Sequence, residues 1–209
     1  MAGSDPLSLT ETEIARQLDA MQVLAGGSGE AKDDVRIRKA AVLVPMFWSD
    51  EEWHLLFTER SDSVEEHRGQ VSFPGGQSHG DFETPFQTAL RETEEEIGLP
   101  SDRVRVLGSL RPFETVTSFL ITPVIGAFSW PVPLRPSVVE VREIFHVPLR
   151  WLALGKNLQW QPRPRSLSGS SEWVPVYHAF EGHLIWGATA RIVVGLLKML
   201  GIALPPPSD

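Results

Sequence analysis

The stretch "TALRETEEEIGLP", Thr88 to Pro100, concentrates negative charge, since four of the five positions from Glu92 to Glu96 are glutamates. Its flanking residues predict a helix over about residues 85–97. They supply an N-cap, a first-turn proline, a capping box and a left-handed C-terminal cap, in that order at Thr84, Pro85, Gln87 and Gly98. The sequence therefore predicts a short, strongly acidic helix.

The two faces of this helix differ in character. At about 100° per residue, one stripe is mostly apolar, comprising Phe86, Ala89, Leu90, Thr93 and Ile97. Glu92, Glu95 and Glu96 are expected to point away from it. Like charges at these spacings cost about 0.2–0.5 kcal/mol per pair, and only Arg91 compensates within the helix. A solvated acidic face is the ordinary explanation, but a divalent cation that favours oxygen ligands, Mg²⁺ or Mn²⁺, would remove the cost.

Composition limits the classes of function. The chain has 209 residues, a net charge of −8 and no cysteine, which excludes disulfides, thiolate catalysis and cysteine-bound zinc. This acidity argues against binding to nucleic acid or anionic membranes, although a phosphate substrate can still bind locally. The polar N-terminus and the lack of a long apolar run predict a soluble cytoplasmic protein.

The pattern along the chain predicts a mixed α/β domain. Residues 1–35 are expected to form a helical extension with a flexible connection, residues 36–203 the domain, and residues 204–209 a frayed tail. Predicted strands include "AAVLVPMFW", "WHLLFTER", "VRVLGSL", "SFLITPVIGAF", "EVREIFHVPL" and "VPVYHAF". The segments "SWPVPLRP" and "QPRPRSLSGSSE" are predicted loops, and "IWGATARIVVGLLKML" is a predicted long helix.

Residues 83–99 resemble the Nudix box, whose form is G, five residues, E, seven residues and R-E-U-x-E-E-x-G-U, with U aliphatic. The second half matches at Arg91, Glu92, Glu95, Glu96, Gly98 and Leu99. Thr93 departs from the aliphatic position, and six residues instead of five separate Gly76 from Glu83. The resemblance implies an α/β/α sandwich around a mixed sheet and hydrolysis that depends on Mg²⁺ or Mn²⁺.

The preceding segment, "LFTERSDSVEEHRGQVSFPGG", resembles the signature of the coenzyme A pyrophosphatase branch of this family. The matching residues are Thr58, Arg60, Ser61, Gly69, Phe73, Pro74, Gly75 and Gly76. Glu65 departs from it, because the signature has arginine there. This resemblance implies cleavage of coenzyme A or its derivatives into 3′,5′-ADP and 4′-phosphopantetheine, or the acyl form. The alternatives are another nucleoside diphosphate derivative, such as ADP-ribose, and a non-hydrolytic module that senses a nucleotide.

The resemblance also implies roles for particular residues. The metal ligands would be Glu92 and Glu96, assisted by Glu95 and the carbonyl of Gly76, with Arg91 orienting the carboxylates. The general base stays open between Glu95 and a later glutamate, Glu140 or Glu143, of which Glu140 is preferred.

Substrate phosphates would contact Arg60 and Arg68, because arginine binds them in a bidentate manner, and the main chain of Gly75 and Gly76. The expected partner is a small nucleotide, and a homodimer stays open. The histidines form no convincing metal set, and His146, His178 and His183 are expected to be structural.

Overall fold

The computed structural model describes residues 5–24, 37–61, 69–80, 82–164 and 171–207. Its helices are α1 Glu11–Leu24, α2 Pro85–Ile97, α3 Leu149–Ala153 and α4 Gly187–Met199. Its strands are β1 Arg38–Ser49, β2 Glu52–Arg60, β3 Val71–Ser72, β4 Gly75–Gln77, β5 Arg105–Ser109, β6 Phe113–Glu114, β7 Phe119–Ala127, β8 Val141–Pro148, β9 Leu158–Pro164 and β10 Ser171–Tyr177. None of the helices in these ranges combines the length and apolarity needed to cross a bilayer.

Eight of the described strands form one mixed sheet. Its central order is β3-β2-β1-β7-β5, with β8 also paired to β2, β4 to β1 and β6 to β7. Strands β1 and β7 run parallel, and the other pairs in this sheet are antiparallel. Strands β9 and β10 form a separate two-stranded antiparallel sheet. The predicted mixed α/β class is confirmed.

Helices cover both faces of the large sheet, because alternate residues of each strand point to opposite sides. On one face, α2 packs through Ala89 and Ile97 against Leu43 of β1 and Leu56 of β2. On the other face, apolar residues of α1 and α4 join Val44 and those of other strands in a larger core. The arrangement is an α/β/α sandwich, as expected.

Helix α1 belongs to that larger core. Ile14 and Leu18 are buried in it, and the indole N–H of Trp53 donates to the carbonyl of Leu9 at 2.9 Å. At the surface, the Arg105 guanidinium donates twice to the Glu11 carboxylate, at 2.7 and 2.6 Å. The helical part of the predicted extension thus packs on the domain, while residues 25–36 lie outside the described part of the chain.

One predicted loop is partly a strand. The segment from Gln161 to Glu172 was expected to be irregular, yet β9 continues through residues 161–164 and β10 begins at Ser171. A proline is tolerated in a strand where its nitrogen faces away from the paired strand, because the missing N–H then breaks no ladder bond. Pro162 lies opposite Trp173 and Pro175 opposite Trp160.

Candidate active site

The acidic helix α2 has the predicted bounds, residues 85–97, and the predicted caps. The Gln87 N–H donates to the Thr84 hydroxyl at 3.3 Å, and the Gln87 side chain accepts the Thr84 N–H at 2.9 Å. Gly98 closes the helix in the left-handed region at φ 66°. The Thr93 hydroxyl, at the position where the motif has an aliphatic residue, donates to the Ala89 carbonyl at 2.6 Å. The hydroxyl of this buried threonine thereby has a hydrogen-bond partner within the helix.

The packed side of α2 differs from the predicted stripe at three positions. Thr88, outside that stripe, is fully buried, and the other two are Glu96 and Phe86. Glu96 is only 9% exposed, so the expectation that it points away from the packed face with Glu92 and Glu95 is wrong. Phe86, assigned to the stripe, is 39% exposed. The physical reason is that the sheet offers Glu96 polar groups, the Gly75 N–H and the nearby charge of Arg60. A carboxylate can be buried where such groups face it.

The glycine pair Gly75–Gly76 lies directly against the carboxylates of Glu92 and Glu96. The Gly75 N–H donates to Glu96 Oε2 at 3.3 Å. Gly75 has φ 154°, and a Cβ there would lie 2.5 Å from the Cα of Val42. A Cβ on Gly76 would lie 2.5 Å from Glu92 Cδ. Only glycine permits this close approach of main chain to carboxylate.

Arg91 connects three glutamates. Its guanidinium contacts Glu83 Oε1 at 2.8 Å, Glu92 Oε1 at 2.8 Å and Glu95 Oε2 at 3.2 Å. It also donates to the carbonyl of Gln77 at 3.2 Å. Since a delocalised guanidinium presents five donors in a fixed plane, it can hold several carboxylates in one geometry.

Glu83 reaches this network despite the longer loop that precedes it. Besides Arg91, it accepts the His79 N–H at 2.6 Å. The Arg91 hydrogen bond, with that of His79, lowers the pKa of Glu83 to about 2. Glu83 therefore stays ionised at neutral pH and anchors the loop to the arginine.

Glu96 has the opposite electrostatic character. Burial raises its pKa to about 7, from an ordinary value near 4.5, and the carboxylates of Glu140 and Glu92 add to the rise. The charge of Arg60 and the Gly75 N–H act against it. A cation beside these carboxylates would favour the ionised form and offset their repulsion.

Two further predicted residues approach Glu96 from outside α2. Arg60 ends β2, and its Nε is buried with no hydrogen-bond partner among the described residues. Glu140 precedes β8, where its carbonyl accepts the Ser61 N–H at 2.9 Å. Its loop is also held by the Ser137 N–H, which donates to the Glu96 carbonyl at 2.8 Å. These main-chain contacts have no signal in the sequence.

The remaining predicted residues are placed differently. Glu95 has a side chain that is 57% exposed and contacts Arg91 on the outer surface of α2. Glu143, the second loop candidate for the base, lies on β8 opposite Glu59 and close to His183. Arg68 and Glu65 fall outside the described residues.

Comparisons with known proteins agree with these motifs. A family model described as the NUDIX domain matches residues 37–186. The chain is 36% identical over 174 residues to an Escherichia coli K12 protein named "Uncharacterized Nudix hydrolase NudL", covering 82% of this chain and 87% of that protein.

Two solved structures show weaker similarity. A C. elegans Ap4A hydrolase binary complex has 20% identity and a TM-score of 0.46, over 55% of this chain and 82% of that one. A hydrolase from M. smegmatis, RenU, has 22% identity and a TM-score of 0.48, over 56% of this chain and 74% of that one.

Proposed function

The chain belongs to the Nudix hydrolase family, and we propose that its substrate is the diphosphate of coenzyme A or its derivatives. It is an enzyme that acts on phosphoric anhydride bonds of nucleoside diphosphate derivatives. The proposed products are 3′,5′-ADP and 4′-phosphopantetheine, or the acyl form of the latter. The observation that carries the substrate assignment is the second motif, residues 56–76, which leads directly into the glycine pair against Glu92 and Glu96.

The carboxylates present fit the divalent cation on which this family depends. Hard cations take oxygen ligands, and the proposed set consists of Glu92, Glu96, Glu95 and the carbonyl of Gly76. A side chain on Gly76 would fill the space beside the Glu92 carboxylate. The buried Glu96, whose pKa is raised, is the kind of group that a cation stabilises in its ionised form. We propose Mg²⁺ or Mn²⁺ here; when bound, the ion would neutralise the diphosphate and acidify a water molecule.

The chain's own residues would orient the metal-binding carboxylates, bind the substrate phosphates and accept a proton from water. Arg91 holds Glu92 and Glu95 in position. Arg60, whose charge acts on Glu96, is proposed as one phosphate contact because a guanidinium can bind a phosphate in a bidentate manner, and Arg68 is proposed as a second. Main-chain atoms of Gly75 and Gly76 would border the same phosphates.

The general base would take a proton from the attacking water. We prefer Glu140 to Glu95, because its charge acts on Glu96, whereas Glu95 is largely exposed and already contacts Arg91. A base must lie within hydrogen-bonding reach of the water in the substrate complex. If Glu140 is the base, Glu140→Gln lowers kcat by about 10²-fold or more, and Glu95→Gln lowers it less.

A substrate panel tests the proposal. Coenzyme A, acetyl-coenzyme A, dephospho-coenzyme A and ADP-ribose are each incubated with Mg²⁺ or Mn²⁺, and the products are identified by mass spectrometry. We expect the highest kcat/KM for coenzyme A or its acyl form, with 3′,5′-ADP as a product. A preference for ADP-ribose would overturn the substrate assignment, and nucleotide binding without turnover of any substrate would indicate a sensing module.

The metal assignment has its own test. Glu92→Gln is expected to lower kcat by about 10²-fold or more, because it removes a ligand charge at nearly constant volume. Glu94→Gln is the matched control on the same helix, since that carboxylate bonds the Ser101 N–H and hydroxyl instead. A native rate in Glu92→Gln would contradict the assignment of this ligand.

A further inference from the structure

Strands β2 and β8 place two glutamates side by side on the face of the sheet away from α2. Glu59 and Glu143 are direct cross-strand neighbours, in register with the buried pair Phe57 and Phe145. Phe57 and Phe145 belong to the core on the α4 side, so the two carboxylates share that face. Like charges directly opposite each other destabilise a sheet. The Arg142 guanidinium, 2.9 Å from Glu59 Oε1, compensates one of them.

A histidine lies between these carboxylates. His183 follows the turn after β10, and its ring stacks on Phe145 with centroids 3.8 Å apart and planes 10° apart. His183 Nδ1 lies 2.9 Å from Glu59 Oε2, and Nε2 lies 3.8 Å from Glu143 Oε2. The side chains of His183 and Glu59 are only 11% and 13% exposed, whereas that of Glu143 is 52% exposed.

The orientation of the imidazole leaves a place for a cation between Nε2 and the Glu143 carboxylate. A neutral imidazole has one N–H, and the 2.9 Å contact assigns it to Nδ1, where Glu59 can accept it. In that tautomer the lone pair of Nε2 faces the Glu143 carboxylate, and a cation between them, either a metal ion or a proton, would remove the repulsion. A metal-binding histidine usually donates its other N–H to a carboxylate in this way, and that contact fixes the ring orientation.

We propose that His183 and Glu143 bind a divalent transition metal ion, Zn²⁺, with Glu59 holding the imidazole in the ligating tautomer. Zinc binds imidazole nitrogen and carboxylate oxygen at about 2.0–2.2 Å, so one ion can contact two ligand atoms up to about 4 Å apart. The Nε2–Oε2 separation of 3.8 Å falls within this span, and the exposed Glu143 can adjust towards tetrahedral geometry. Water would complete the coordination.

The site is separate from the carboxylates of α2 and does not depend on the proposed substrate. The ion would link β8 to the turn that contains His183. The hydrogen bond with Glu59 links the same histidine to β2. Glu59 immediately precedes Arg60, whose charge acts on Glu96. Zinc bound here would therefore stiffen the strand end that supports the active site from the opposite face.

The test uses the full chain with Glu92→Gln and Glu96→Gln, so that the two main proposed ligands of α2 no longer compete for the metal. Titration with Zn²⁺ is followed by calorimetry and by Tm, because an ion that binds only the folded state raises Tm. We expect uptake of about one equivalent of Zn²⁺, with no comparable response to Mg²⁺, which disfavours imidazole. Adding Glu143→Gln or His183→Gln is expected to reduce zinc affinity at least about 10-fold.

Controls make both outcomes informative. Glu114→Gln removes an exposed glutamate of β6 and should leave zinc uptake unchanged. Glu143→Gln alters a largely exposed side chain, so the loss of zinc it causes is not attributable to unfolding. A folded background variant that takes up no zinc would overturn the proposal. Uptake that survives both added substitutions would overturn it equally.

Discussion

Glu96, a proposed metal ligand, illustrates how a buried carboxylate can cost stability. It lies on the packed side of α2, where burial raises its pKa to about 7 and the carboxylates of Glu140 and Glu92 add to the rise. Below about pH 7 the metal-free folded state therefore favours the protonated form. Such strain is common where charged groups are gathered for a ligand. Glu83, on the same network, shows the opposite shift because Arg91 and a main-chain N–H stabilise its ionised form.

Glu96→Gln is expected to stabilise the metal-free protein at alkaline pH. The folded pKa lies above the ordinary value near 4.5, so ionisation of native Glu96 destabilises the fold increasingly as pH rises past 4.5 and through about 7. In EDTA, the variant should melt higher than the native protein at pH 8 by about 2–4 °C or more, and the gain should shrink towards pH 5. Tm measured at pH 5, 6, 7 and 8 checks this. Lower stability of the variant at pH 8 would show that the ionised carboxylate is well compensated.

Glu83→Gln should have the opposite pH dependence. The depressed pKa of Glu83 means that its ionised form contributes stability above about pH 4.5, and this contribution is lost as pH falls towards 2. We expect the variant to melt about 2–4 °C below the native protein at pH 7, with the difference diminishing in acid. Glu114→Gln serves as the exposed control. A Tm difference that is equal at pH 7 and pH 3 would assign the effect to something other than the carboxylate charge.

At the scale of the element, α2 is defined at both ends by its own residues. The reciprocal capping box of Thr84 and Gln87 begins it, and the left-handed Gly98 ends it. Beyond that end, main-chain N–H groups of Arg135 and Ser137 donate to the last helical carbonyls at 2.7 and 2.8 Å. Local sequence thus determines where the helix lies along the chain, and a distant loop completes its C-terminus.

Thr84→Ala should destabilise the protein by about 1 kcal/mol, because it removes the hydroxyl that accepts the Gln87 N–H. For a chain of this size the loss corresponds to a Tm decrease of about 2–4 °C. Thermal melts of Thr84→Ala and Thr84→Ser are compared, since serine caps helices as well as threonine does. Equal losses in both variants would mean that the threonine methyl, rather than the cap, carries the effect.

At the scale of the whole molecule, the N-terminal helix completes the core on one face of the sheet. Leu18 of α1 is fully buried. A Cβ added to Gly108 of β5 would lie 3.0 Å from the Cβ of Leu18. The close approach of helix and strand explains why a glycine occupies that position of β5. Helix and domain therefore share a core and should unfold together.

Leu18→Ala is expected to cost about 2–5 kcal/mol through lost burial and the cavity left behind. Melting should remain a single transition, with Tm lowered by roughly 5–15 °C. Asp19→Ala, at the next and exposed position, is the control and should change Tm little. Near-native Tm for Leu18→Ala would indicate that α1 docks too weakly to be part of the cooperative unit.

The amino-acid sequence alone determined the α/β class, the bounds of α2 and the residues of the catalytic motifs. These features depend on contacts within one or two helical turns, and on residue types that can be read position by position. The caps of α2 and the match at Arg91, Glu92, Glu95 and Glu96 are of this kind.

Only the tertiary structure decided which of these groups are buried and which distant residues meet them. The burial of Glu96, the approach of Arg60 and Glu140, and the position of His183 between Glu59 and Glu143 all depend on strand register and on loops far along the chain. Local periodicity carries no information about such pairings, because a one-residue shift in register moves a side chain to the other face of the sheet. Burial then changes the electrostatic environment of a side chain. For this reason Glu96, which the helical pattern predicts to face solvent, has a raised pKa.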